Sequence, residues 1–333
     1  MTRVHANYEL ERLGLKVITL ENRLLRVTIL PELGGRIWQI VYKPHDVALL
    51  WNNPAIQPAR LPRNSSYDDN WSGGWDELFP NDEAAAIDRE EFPDHGELWT
   101  QEWAADSFEN ADGEGVRLRC VAPVSGVVVE KIVLLPRDLA QLRFTHAFHN
   151  ARQTAFPFLW KLHPAFAVSS DHRIDFPAMQ VALEPAFLGT LEGGPTDFEW
   201  PRFHAGLRVV DLRRVPPASE RQLYFFYGHR MRAGWCALTN TRTRLSCILQ
   251  FDPRIFRSCW LFATYGGWRD CNVAVLEPAT GYPFNFAAMQ AAGLAQTLAP
   301  NGALRTAVIF HVREGISSVG KLDAEGNATE TAD

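Results

Sequence analysis

Several familiar kinds of protein are excluded by what this sequence has little of. Only five cysteines occur in 333 residues, at Cys120, Cys236, Cys247, Cys259 and Cys271. Their number is odd, their spacing is wide and no C-x-x-C pair is present, which argues against a disulfide framework or a structural zinc site. A reduced, cytoplasmic compartment is the expectation, with the thiols acting as small strand hydrophobes. Basic residues form no block and the net charge is −6, so the footprint needed to grip a phosphate backbone is missing and nucleic acid is not an expected partner. No apolar run approaches a membrane span, and the opening residues MTRVHANYELERLGLKV hold no signal-like apolar core, so no membrane association is expected. Long amphipathic helices are absent too. The best candidate, Phe286–Ala295, allows a turn or two before Gly293 interrupts it. Without crossover helices a parallel α/β sheet cannot be closed.

What is present reads as β structure. Hydrophobic residues make up 46% and charged residues 22%, enough for a large core without staples. The dominant period is two. Leu15–Leu20 and Leu24–Leu30 are separated by Glu21-Asn22 and followed by Arg36–Tyr42. Further strands are predicted at Val116–Val121, Val127–Leu135, Gln141–Phe148 and Phe156–His163. The second half adds Leu207–Asp211, Gln222–Tyr227, Gly234–Leu238, Leu245–Phe251, Cys259–Thr264, Asn272–Glu277 and Leu304–Val312. Asp112-Gly113, Pro136-Arg137-Asp138, His149-Asn150 and Asn301-Gly302 mark turns between them. The expectation is an all-β chain, a large antiparallel β-sandwich over residues 1–318, with a polar tail at 319–333 that frays.

One stretch breaks the rhythm. Trp51 to about Trp103 lacks periodicity yet is dense in Trp and Phe, which argues against disorder. Within it, NWSGGWDELFP (Asn70–Pro80) interleaves Trp71, Trp75 and Phe79 with Asp76 and Glu77. Rings that stack and carboxylates that bind hydroxyls suit a carbohydrate cleft, although the same residues would also pin a loop. In PDHGELW (Pro93–Trp99), Gly96 permits close backbone approach beside His95. His95 and Glu97 form an H-x-E pair without the further ligands a metal site requires.

Two more segments carry acid–base potential. In CNVAVLEP the alternation puts Cys271, Val273, Val275 and Glu277 on one face, with Pro278 expected to end the strand. A carboxylate ending an apolar face is partly desolvated, which suits a general base, although a strand-end Glu paired with an Arg reads the same way. In FLWKLHP, Lys161 and His163 share a face, and Pro164 is expected to stop the strand with the imidazole at a mouth. A hydrogen-bonded structural histidine is the alternative.

In combination these segments resemble the aldose 1-epimerase (galactose mutarotase-like) family over roughly Leu15 to Val312. Leu33-Gly34-Gly35-Arg36-Ile37 is similar to its opening GG-R segment, and His95-Gly96 to its first His-Gly. His163 in LWKLHPAF matches its second histidine, Glu277 in VAVLEPATGYPFN its late glutamate, and Leu298–Val312 its closing turn and strand. Where galactose mutarotases carry an Asn-Arg pair, this chain has Gly74-Trp75-Asp76-Glu77. The equivalent of their substrate-binding Asp is not evident, with Asp252 and Asp270 as candidates.

The resemblance implies a β-supersandwich that interconverts the α and β anomers of a free or substituted aldose, with a small sugar as its partner. Glu277 would be the base and His163 the acid, with no metal, nucleotide or redox cofactor. His95, Asp76, Glu77, Arg36, Lys161 and Trp75 would bind the sugar. Lys161, Arg36 and Arg269 are cations that an anionic substituent would need. Two alternatives share the scaffold: a non-catalytic carbohydrate-binding protein, and another sugar enzyme such as a lyase or a hydrolase. A hydrolase would need two carboxylates about one bond, for instance Glu277 with Asp76 or Glu77. Oligomeric state is not legible.

Overall fold

The computed structural model describes residues 10–188 and 191–331. It divides into two compact units: residues 1–163 with 281–307, and residues 164–280 with 308–333. Each is built almost wholly from antiparallel strands.

In the first unit, β1 (Ile18–Glu21), β2 (Leu25–Leu30), β3 (Arg36–Tyr42) and β4 (Trp75–Leu78) hydrogen-bond in that order. A second set runs β5 (Ala104–Glu109), β6 (Gly113–Val121), β7 (Val128–Pro136) and β8 (Gln141–His149), each antiparallel to the next. Burial along β7 alternates residue by residue through Val129, Lys131, Val133 and Leu135, as a strand with one inward face requires. Phe144 and Phe148 on β8 and Val116 and Leu118 on β6 complete that apolar layer. The last of this unit's long strands, β9 (Lys161–Ala167), begins here and ends in the second unit.

The second unit holds β10 (His172–Asp175), β11 (Gln180–Leu183), β12 (Asp197–Glu199), β13 (Gln222–His229), β14 (Trp235–Asn240), β15 (Leu245–Phe251), β16 (Ser258–Tyr265) and β17 (Asn272–Ala279). One ladder runs β17-β16-β13-β11-β12. The other runs β10-β14-β15-β18, where β18 is Ala303–Glu314.

Three sequence expectations change. The prolines after His163 and Glu277 do not end their strands: β9 continues through Pro164 to Ala167, and β17 through Pro278 to Ala279. An antiparallel ladder bonds a given neighbour only at alternate residues. Pro278 faces Cys259 in register and lacks only its own N–H, and the strand runs through it to Ala279. Phe156–His163 is also not one strand; it is Phe156–Phe158 followed by β9. Finally, the described part of the tail, to residue 331, packs and pairs instead of fraying. Val319 is buried against Trp235, Ala237 and Ile248, and Lys321–Leu322 pairs with Ala328–Thr329. Among the described residues no helix is long and apolar enough to cross a membrane.

Candidate active site

The irregular region between β3 and β5 assembles a compact polar cluster in the first unit. Ser66 caps a single helical turn, Tyr67–Asn70, accepting from the Asp69 N–H. That turn carries Tyr67, which is almost fully buried. Asp94 fixes it from the other side. One carboxylate oxygen accepts the Tyr67 N–H at 3.2 Å and the other accepts from His95 Nδ1 at 2.9 Å. The His95 ring consequently lies flat on Tyr67, with centroids 4.0 Å apart and planes within 8°.

His95 itself has φ +59°, a left-handed conformation uncommon for a side chain of this kind. Gly96 follows at φ +75°, and a Cβ there would collide with the Phe79 carbonyl. The His-Gly pair therefore allows a close parallel bridge to Phe79. The His95 N–H donates to the Asp82 carbonyl.

Below Tyr67 lies Asp76 on β4. Arg36 Nε donates to Asp76 Oδ1 at 2.6 Å, and Arg36 Nη1 to Ser72 Oγ at 2.5 Å. The Tyr67 hydroxyl donates to Asp76 Oδ2 at 2.8 Å and stands 3.1 Å from His163 Nδ1. Lys161, two residues before His163 on the same face, pairs with Asp82. The two imidazoles meet edge to face with centroids 6.2 Å apart.

These rings are pushed in opposite directions. Burial drives the His163 ring well below the ordinary imidazole range, and the positive charges of Lys161, His95 and Arg36 push it the same way. Burial also opposes charge on His95, but Asp82 and the hydrogen bond that the ring donates to Asp94 outweigh it and raise that ring above its ordinary value. Two imidazoles with oppositely shifted proton affinities are thus held side by side.

The pleat of β4 separates three residues that the sequence reading grouped as sugar contacts. Asp76 faces Arg36 and Tyr67, whereas Trp75 and Glu77 share the opposite face. Trp75 packs on Phe144 with centroids 4.8 Å apart. Glu77 Oε1 accepts from His146 Nε2 at 2.9 Å and lies 3.5 Å from Lys131 Nζ, while Oε2 accepts from Trp160 Nε1 at 2.8 Å. Burial would raise the Glu77 carboxyl; the charges of His146 and Lys131, with the hydrogen bonds, hold it down at about 2.

Glu97, two residues from His95, turns away to accept the Val124 and Ser125 N–H groups. Asp252 is held by Arg254 and Asp270 by Arg221, and the Arg269 guanidinium covers the Trp268 ring. Glu277 belongs to the second unit, where it is buried on β17 opposite Trp260 of β16. Tyr67, Ser72, Asp82 and Asp94 were not singled out from sequence. Ser66-Tyr67-Asp68-Asp69 does carry a helix-start signal, and Asp94 directly precedes the His-Gly pair.

No protein family and no curated protein match this sequence. Solved structures do match its fold. A candidate aldose 1-epimerase from Klebsiella pneumoniae superposes with a TM-score of 0.71 at 13% identity, covering 91% of this chain and 80% of that one. Another from Escherichia coli K12 gives 0.65 at 18% identity, covering 91% and 100%. A galactose mutarotase-like protein from Clostridium acetobutylicum gives 0.64 at 13%, covering 90% and 96%. The chain therefore has the galactose mutarotase-like, nearly all-antiparallel β-sandwich fold. Identities this low establish architecture and leave the chemistry to be argued from the site.

Proposed function

We propose that the chain interconverts the α and β anomers of an aldose by acid–base ring opening. One group removes the proton of the anomeric hydroxyl while a second protonates the ring oxygen. The C1–O5 bond breaks and a free aldehyde forms. Rotation about C1–C2 presents the other carbonyl face, and reclosure reverses both proton transfers. The step needs a donor and an acceptor held in different protonation states near the same pH.

The observation that carries this reading is the unlike pair of imidazoles about Tyr67, one raised and one lowered. We assign the donated proton to His95, whose hold on a proton Asp82 and Asp94 strengthen, and keep Glu277 as the base on the family resemblance alone. His163, expected from sequence to be the acid, enters as a neutral ring able to accept a hydrogen bond from a sugar hydroxyl. Arg36 and Lys161 hold Asp76 and Asp82 in place, and Glu77 and Trp75 take no part in sugar contact because both face the core.

The test is anomer exchange by NMR across neutral, phosphorylated and acidic aldoses. Catalysed exchange of at least one sugar is expected. The Glu277→Gln variant should lose about 10²–10⁴-fold in rate while retaining its fold. Exchange at the uncatalysed rate throughout, with a sugar nevertheless bound, would replace this reading by that of a carbohydrate-binding protein.

A further inference from the structure

Three groups in the site share a chain of hydrogen bonds with only one consistent direction. The Asp76 carboxylate, engaged by Arg36 at 2.6 Å, can only accept. The Tyr67 hydroxyl has one proton and lies 2.8 Å from Asp76 Oδ2, so it gives that proton to Asp76. The same oxygen is 3.1 Å from His163 Nδ1. With its proton already committed, the hydroxyl can only accept there, and Nδ1 must be the donor. A neutral imidazole with a proton on Nδ1 has none on Nε2.

We infer that Tyr67 and Asp76 are positioning residues that hold His163 as its Nδ1–H tautomer, so that Nε2 is an acceptor for a sugar hydroxyl. The sugar clause rests on the function proposed above; the tautomer does not. Arg36 explains why the relay carries orientation more than charge: the negative charge of Asp76 is already matched before it reaches the tyrosine. The logic parallels that of a carboxylate fixing the tautomer of a catalytic histidine, with a phenol inserted between the two.

Asp76→Asn tests this without changing the size of the side chain. Arg36 Nε needs an acceptor, so the amide oxygen stays with Arg36 and the amide nitrogen turns toward Tyr67. The tyrosine must then donate to His163 Nδ1, and the ring proton moves to Nε2. Nitrogen-15 NMR of histidine-labelled protein at neutral pH reads the tautomer directly, with the His163 signal identified by its loss in His163→Gln. The wild-type chain should show protonated Nδ1, Asp76→Asn should show protonated Nε2, and Tyr67→Phe should show a mixture. Wild-type His163 with its proton on Nε2, or an unchanged tautomer in both variants, would overturn the inference.

The sugar role is read separately. Asp76→Asn is expected to raise KM for the exchanged sugar about tenfold, the cost of one hydrogen bond whose polarity is reversed. A flipped tautomer with unchanged KM and kcat would overturn that role. A wild-type chain that exchanges no sugar but shows protonated Nδ1 would sink the proposed function and leave the tautomer standing.

Discussion

Asp76 and Glu77 are adjacent on one four-residue strand and almost equally buried, yet they build opposite kinds of cluster. Glu77 faces a closed set of partners in the apolar layer. Lys131 and His146 sit directly opposite one another on β7 and β8, Lys131 also donates to the Gly35 carbonyl and covers the Trp103 ring, and Trp160 completes the carboxylate. Asp76 faces an open chain that leads through a hydroxyl to an imidazole and on to a second imidazole that meets it edge to face. A buried charge can therefore be satisfied in two ways. A closed set gives rigidity and one geometry; a relay passes information about proton position to a group that can exchange protons.

The largest effect should appear when the closed set is broken. Glu77→Gln leaves Lys131 as a buried cation without its counter-charge, which typically costs about 3–5 kcal/mol. Asp76→Asn leaves Arg36 bonded to Ser72 and to the amide oxygen, so it should cost about 1–3 kcal/mol. Equilibrium denaturation in urea measures both. A Glu77→Gln loss no larger than that of Asp76→Asn would end the distinction between the clusters. The Glu77→Gln/Lys131→Met double variant sharpens it: partners in one set should show a coupling of about 0.5–3 kcal/mol, with the pair less damaging than the two single changes added together.

A smaller effect is expected in acid. Glu77 titrates near 4.5 when the chain is unfolded and at about 2 when it is folded. A depressed carboxyl contributes stability that is fully present above the unfolded value and lost as pH falls through the folded one. Denaturation midpoints should therefore drop between about pH 4.5 and about pH 2, and Glu77→Gln should flatten that drop. A variant that loses stability in acid as steeply as the parent would show that other carboxylates dominate.

The contrast between the clusters also explains what sequence alone could reveal. Strand β3 was legible to the residue, as was β15, because period-two alternation and flanking turn residues are local signals. His95, His163, Arg36 and Asp76 were legible as polar residues in places where packing gives no reason for them. The separation of Asp76 from Trp75 and Glu77 was not, because a loop-like composition hides that Trp75–Leu78 is a strand, and only a strand sends neighbours to opposite faces. Tyr67 was hidden for a different reason. Its importance depends on Asp94, Asp76 and His163, 27, 9 and 96 residues away, and no spacing rule spans such distances. The prolines misled because a strand can run through a residue that lacks an N–H, as β9 does at Pro164 and β17 at Pro278.

The smallest effect separates the two imidazoles within the open cluster. His95 is raised above 6.5 by Asp82 and Asp94 against the cost of burial, so its contribution to stability is complete below 6.5 and disappears as pH rises through the folded value. His163 is lowered below 6.5 by burial and by Lys161, His95 and Arg36. The unfolded chain then binds the extra proton, and the contribution of His163 is complete above 6.5 and declines as pH falls beneath it. Two rings 6.2 Å apart should accordingly tilt the stability profile in opposite senses on the two sides of pH 6.5. Thermal melts of His95→Gln should be flatter than those of the parent on the alkaline side, and melts of His163→Gln flatter on the acid side. Each ring also acts on the other, since a charged His95 is one of the groups that keep His163 neutral. Removing His95 should therefore let His163 titrate closer to 6.5, and the double variant should not equal the sum of the single ones. Parallel profiles for both single variants would mean that the two rings are not shifted in opposite directions, and the observation that carries the ring-opening proposal would be lost.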